Sequence, residues 1–104
     1  MSRPVVFRPE AEADLADAVA WYEERRPGLG LELLLSVEAS LEAIRSRPDS
    51  FPVMHGAVRR ALLRRFPYGV FYLVEREAIV VLAVFHAKRD PRLWRDRTAG
   101  GGCG

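Results

Sequence analysis

Apolar residues recur in two rhythms along this chain, and the change of rhythm divides it. From Pro9 to about Glu24, Ala11, Leu15, Ala18, Val19 and Tyr22 return at helical spacing and form one apolar stripe. Trp21 lies off the centre of that stripe. Pro9 suits a first helical turn, where its missing N–H has no intrahelical partner to lose, and Glu10, Glu12 and Asp14 complement the helix dipole. Arg25-Arg26-Pro27-Gly28 ends the helix, because a proline disfavours helical geometry in the residue before it. A second helix is predicted from Leu29 or Gly30 to Arg45. Leu34, Val37, Leu41 and Ile44 share one face, Leu31, Leu33 and Leu35 widen it, and Pro48 stops it. The two make an α-hairpin.

Beyond Gly56 the period shortens. VRRALLRRF, YGVFYLV and AIVVLAVFH are three apolar runs of strand length, separated by Pro67-Tyr68-Gly69 and by Glu75-Arg76-Glu77. Spacers this short join antiparallel neighbours, since a parallel crossover needs a dozen or more residues. The runs therefore predict a meander from Val58. Strict alternation puts Ile79, Val81, Ala83 and Phe85 on one side of the last strand and Val80, Leu82, Val84 and His86 on the other. Val5-Val6-Phe7 reads as a short edge strand, and Asp49 to Gly56 as a loop under which Phe51 and Met54 tuck. Asp90-Pro91 begins a final helical turn with Leu93 and Trp94. The expected fold is α+β: a small antiparallel sheet, made of a short N-terminal edge strand and a three-stranded meander, packed against an α-helical hairpin. Residues 1–97 form a single domain, and 98–104 a disordered Gly-rich tail.

Composition narrows the setting. At 104 residues and 49% hydrophobic content, the chain can bury one core. No apolar run reaches the roughly 18 residues that span a bilayer, so no membrane association is expected. The first residues lack the apolar centre of a signal peptide, and Cys103 is the sole cysteine. Both fit a cytoplasmic protein. Residues 1–55 carry six arginines against ten acids, net −4, whereas residues 56–104 carry ten basic residues against four acids, net +6. The basic half predicts an anionic target or partner surface.

Candidate chemistry is sparse. With two histidines and no HExxH or CxxC spacing, no metal or other cofactor is expected. Arg59, Arg60, Arg64 and Arg65 fall on the first meander strand. Alternation would place Arg60 and Arg64 on one face and Arg59 and Arg65 on the other. His86, Lys88 and Arg89 follow the last strand. His86 reads either as a part-buried residue that holds the final turn by a hydrogen bond or as an acid/base group beside a phosphate.

Taken together, FRPEAEADLADAVAWYEERRPGLG, LEAIRSRPDSFP, RRFPYGVFY and VLAVFHAKRDPRLW resemble the RelE/ParE superfamily of type II toxin–antitoxin toxins over residues 4–97. The resemblance implies a helical hairpin on a small antiparallel sheet, and a growth inhibitor held in a hetero-oligomer by a cognate antitoxin. Tyr22, Phe71, Tyr72 and Leu73 would meet that antitoxin. RelE-like members cut mRNA on the ribosome with a basic cluster and a C-terminal tyrosine or histidine; ParE-like members poison DNA gyrase. Here Gly69 follows Tyr68 where an arginine is usual in the nucleases, and Trp94, which has no ionisable proton, stands where they carry tyrosine. The exit His86 to Asp90 is similar to the ParE-like arm. That arm implies action by binding, with Arg60, Arg64, Arg65, Lys88, Arg89 and Trp94 at the target or phosphate surface. His86, Arg65 and Arg89 are the catalytic candidates if the chain is instead a ribosome-dependent mRNA endonuclease.

Overall fold

The computed structural model describes residues 3–88. In chain order these form β1 (Val5–Phe7), α1 (Pro9–Arg25), α2 (Leu29–Ser46), β2 (Val53–His55), β3 (Val58–Leu62), β4 (Tyr68–Val74) and β5 (Ile79–His86). The strands make one five-stranded sheet in the order β1-β5-β4-β3-β2. The α+β class and the meander β3-β4-β5 are as the sequence predicts. Three details differ. β1 runs parallel to β5, because α1 and α2 intervene and return the chain to the opposite edge. The supposed loop contains β2, an exposed edge strand antiparallel to β3 with an irregular register. And β3 stops at Leu62, so Arg64 and Arg65 sit in the β3–β4 turn and do not follow strand alternation. The final turn and the Gly-rich tail lie outside the described residues.

The α-hairpin lies on one sheet face. Ala11 and Ala18 of α1 and Leu33, Val37 and Ile44 of α2 are buried against Ala61, Val70, Tyr72, Ile79, Val81 and Val84. The buried stripe of α2 is thus rotated from the predicted one: Leu33 replaces Leu34, which is 36% exposed. On the other sheet face Val58, Phe71, Leu82, Ala83 and Phe85 form a second buried cluster.

Alternation along β5 fails at one point. Tyr72 pairs with Val81 but Phe71 pairs with Ala83, which leaves Leu82 as an extra residue, a β-bulge. Leu82 and Ala83 both join the far cluster, and every later side chain changes face. Val84 therefore joins the helix side, and His86 opens toward α1. β1 covers β5 only as far as Val81, whose carbonyl accepts the Arg8 N–H at 3.0 Å. Past the bulge, the Val84 N–H donates to Asp14 Oδ2 of α1 at 3.1 Å. A helix carboxylate continues the pairing where the strand has ended.

The hairpin turn is fixed by a similar device. Glu23 accepts the Gly28 N–H at 2.9 and 3.1 Å and the Gly30 N–H at 3.0 Å, so a carboxylate from α1 satisfies the N-terminus of α2. Gly28 has φ +90°, where other side chains are strained. A Cβ on Gly30 would stand 2.9 Å from the Val19 carbonyl oxygen and 3.0 Å from Val19 Cγ1. Gly30→Ala sets a helix-propensity gain of about 1 kcal/mol against an overpacking cost of about 1–3 kcal/mol. Because the nearest atom is backbone, the cost prevails, and urea denaturation is expected to show a net loss on the order of 1 kcal/mol.

Tyr72 anchors the start of the β2 segment. It is fully buried, and its hydroxyl donates to the Pro48 carbonyl at 2.8 Å. Burial raises its pKa to about 12, with Arg59 opposing the shift and Asp49 adding to it. The fold holds the phenol proton more tightly than the unfolded chain does. This contribution is complete below about pH 10 and is lost as pH rises toward about 12. Tyr72→Phe is expected to cost about 1 kcal/mol at neutral pH and to shrink the alkaline loss of stability. Burial also pushes the Tyr22 hydroxyl up, so part of that loss remains. Denaturation curves at neutral and alkaline pH measure both effects.

Candidate functional site

The predicted basic residues divide into separate environments. The Arg59 Nη1 donates to the carbonyls of Asp49 and Phe51 at 3.0 and 2.6 Å, so Arg59 fastens the segment before β2 to β3. Arg60 lies on the sheet face away from the helices. Its stem covers Gly69, and its Nε is buried without a hydrogen-bond partner. Arg64 and Arg65 are exposed in the β3–β4 turn. That turn meets the exit of β5, where the Ala87 N–H donates to the Pro67 carbonyl at 2.8 Å. Arg64, Arg65 and Lys88 thus belong to one end of the sheet, while Arg59 is committed to the fold. Arg89 and Trp94 lie outside the described residues.

His86 is half-buried at that same end. Its Nδ1 accepts the Lys88 N–H at 3.2 Å, and its ring meets Tyr68 edge-on at 5.6 Å. With Nδ1 as acceptor, the neutral ring carries its proton on Nε2. A cleft of about 550 Å³ opens here between α1 and the ends of β4 and β5, lined by Asp14, Asp17, Trp21, Tyr22, Tyr68 and His86. Trp21 is 48% exposed, and the Arg25 guanidinium stacks on it at 3.7 Å. Among the described residues no group of His, Cys, Asp and Glu could hold a metal ion. No helix there is long and apolar enough to cross a membrane.

The residues read as antitoxin contacts are placed unevenly. Tyr72 is wholly buried on the helix side and Phe71 is 4% exposed on the other, so neither presents a surface to a partner. Tyr72 packs in the helix-side core and Phe71 in the cluster on the far face. Leu73 and Tyr22 are part-exposed.

A different apolar surface is open. Between α2 and the β3–β4 turn runs a groove of about 500 Å³, floored by Phe51 and Leu63 and walled by Leu35 and Leu62. The two walls are 55% and 52% exposed, and Leu31, one turn before Leu35, is 59% exposed. Ser36, Ala39, Ser40 and Ala43 form the α2 side. Arg64, Arg65 and Glu32 also line the groove. Glu32 bridges two cations, Arg65 at 3.2 Å and Arg26 at 3.3 Å. One sequence signal pointed here: Leu31, Leu33, Leu34 and Leu35 are more leucines than one helix face can bury.

A helical hairpin on a mixed five-stranded sheet is the fold of solved chains from toxin–antitoxin systems. The structure is similar to a chain of "Chromosomal ParDE TA system from P. aeruginosa" at TM-score 0.72 and 18% identity, covering 82% of this chain and 96% of that one. It is similar to a chain of the RelBE2 toxin–antitoxin complex from Mycobacterium tuberculosis at TM-score 0.54 and 20% identity, covering 83% and 99%. In sequence it is 33% identical over 92 residues to Toxin ParE2 of Mycobacterium tuberculosis, 88% of each chain. The family described as "ParE toxin of type II toxin-antitoxin system, parDE" matches residues 5–91. The chain belongs to this family of type II toxins.

The Glu32 bridge is not a structural brace. The Arg65 side chain is 72% exposed and that of Glu32 31%, so solvent screens the pair. Glu32→Ala is expected to change unfolding free energy by less than about 1 kcal/mol in urea denaturation.

Proposed function

We propose that this ParE-family toxin arrests growth by binding DNA gyrase, performs no chemistry of its own, and is neutralised by a cognate antitoxin seated in the α2 groove. One observation carries the reading. A groove of about 500 Å³ lined mainly by apolar side chains has Arg64 and Arg65 beside it, an opening that suits a polypeptide segment. The family supports an antitoxin as its occupant. Arg64, Arg65 and Lys88, beside the exit of β5, supply positive charge for the target contact, and the reading extends that surface to Arg89 and Trp94.

A second reading, ribosome-dependent mRNA cleavage, draws on the His86–Tyr68 pair beside the same basic end. There an imidazole could move a proton while arginines stabilise phosphate charge. A supercoiling assay with purified gyrase separates the two. The expected result is loss of supercoiling at toxin excess, and Arg64→Glu/Arg65→Glu is expected to weaken inhibition by tenfold or more. Undisturbed supercoiling together with cleavage of translated mRNA, mapped by primer extension, would replace the first reading with the second.

A further inference from the structure

We propose that Glu32 is a built-in competitor at the α2 groove, occupying Arg65 until an acidic residue of an incoming antitoxin helix replaces it. The inference rests on the antitoxin reading above and adds the form and charge of what binds.

The groove fits a helix. Ser36, Ala39, Ser40 and Ala43 recur at helical spacing, so α2 presents a ridge of small residues along which a second helix can pack closely. From Glu32 to Ala43 the axis rises about 17 Å, roughly three turns. Leu35 and Leu62, both more than half exposed, are placed to hold leucine-sized side chains of a partner. The apolar stripe of that partner is therefore short and bounded.

Charge sets its end. Arg64 and Arg65 line the groove from the β3–β4 turn and favour a carboxylate on the occupant. Arg65 already holds one, Glu32 Oε1 at 3.2 Å. Glu32 can release Arg65 without losing its cation, because its other oxygen is 3.3 Å from Arg26. The Arg65–Glu32 pair is exposed and screened, hence exchangeable. A partner carboxylate that covers Arg65 makes the pair under apolar side chains, where screening is weaker. With Glu32 in place Arg65 is already paired in the free chain, so an occupant without an acidic residue gains nothing there.

The test uses fluorescein-labelled, hydrocarbon-stapled three-turn peptides with leucines at i, i+4 and i+7 and either a Glu-Glu or a Lys-Lys pair at one end. Fluorescence anisotropy on the full chain reads affinity. The Glu peptide is expected to bind at least about tenfold more tightly than the Lys peptide. Glu32→Gln should tighten the Glu peptide on the order of threefold, and Arg65→Glu should reverse the preference. Ala39→Arg, at an exposed position that leaves the core intact, should abolish binding of both. Equal affinity for the two peptides, or a Glu32→Gln variant that binds the Glu peptide no better, would overturn the proposal. So would concentration-dependent self-association that Ala39→Arg removes, which would assign the groove to a second copy of the chain. The gyrase assay involves neither peptide, so failure of the target reading and failure of this one are distinct outcomes.

Discussion

The basic end of the sheet in this toxin depends on how β5 is held past Val81. There β1 has ended, and the strand would present a bare edge to α1. The Asp14 carboxylate accepts the Val84 N–H, and the bulge at Leu82 turns the strand so that this bond can form on the helix side. An unpaired buried N–H would cost about 1–3 kcal/mol, so the contact locks helix to strand at the point where the chain must be directed. His86, Lys88 and the β3–β4 turn inherit their positions from it, through Tyr68 pairing with His86 and the Ala87–Pro67 bond.

The same economy appears at the hairpin. Helix termini leave several N–H groups without partners, and the residue that precedes α2, Gly28, has no side chain to supply a cap. Glu23 of the preceding helix supplies it. Gly30 lets the helices approach until a Cβ would touch the Val19 carbonyl. That close crossing aims the Leu33–Val37–Ile44 stripe at the sheet and turns Leu31 and Leu35 outward. The exposed leucines beside the groove are thus a geometric consequence of the tight turn: with Leu33 directed inward, Leu31 and Leu35 cannot be.

Much of this was legible in the sequence and some was not, for identifiable reasons. Pro9, Pro27 and Pro48 punctuate the helices, and the short spacers set the meander, because both signals are local. The face of His86 was not legible. A bulge adds one residue without altering composition, so strict alternation along AIVVLAVFH assigned Val84 and His86 to the wrong side. The extent of β3 was misjudged because LLRRF continues an apolar–basic pattern through what is a turn. β2 escaped notice because all three of its residues are exposed and edge pairing leaves no burial pattern. A seven-residue strand that is apolar on both faces does not reveal that Tyr72 and Phe71 are themselves buried. The resemblance to the RelE/ParE superfamily identified the family correctly, but the groove with Glu32 at its cationic end came from the packing alone.

That distribution of charge bears on the proposed antitoxin groove. Free arginines beside an apolar groove would attract any acidic helix. Arg65 is tied to Glu32 at the groove, Arg59 to backbone carbonyls and Arg25 to Trp21. Those ties differ in strength. The Arg59 contact to the Phe51 carbonyl is part-buried, short and charge-assisted, and it belongs to the fold. The Glu32 pair is exposed and long by comparison, and it can open. A chain that needed the pair for stability would have buried it. Leaving it at the surface keeps Arg65 near one position while allowing its counter-ion to change, so the arginine can discriminate between occupants without being rebuilt.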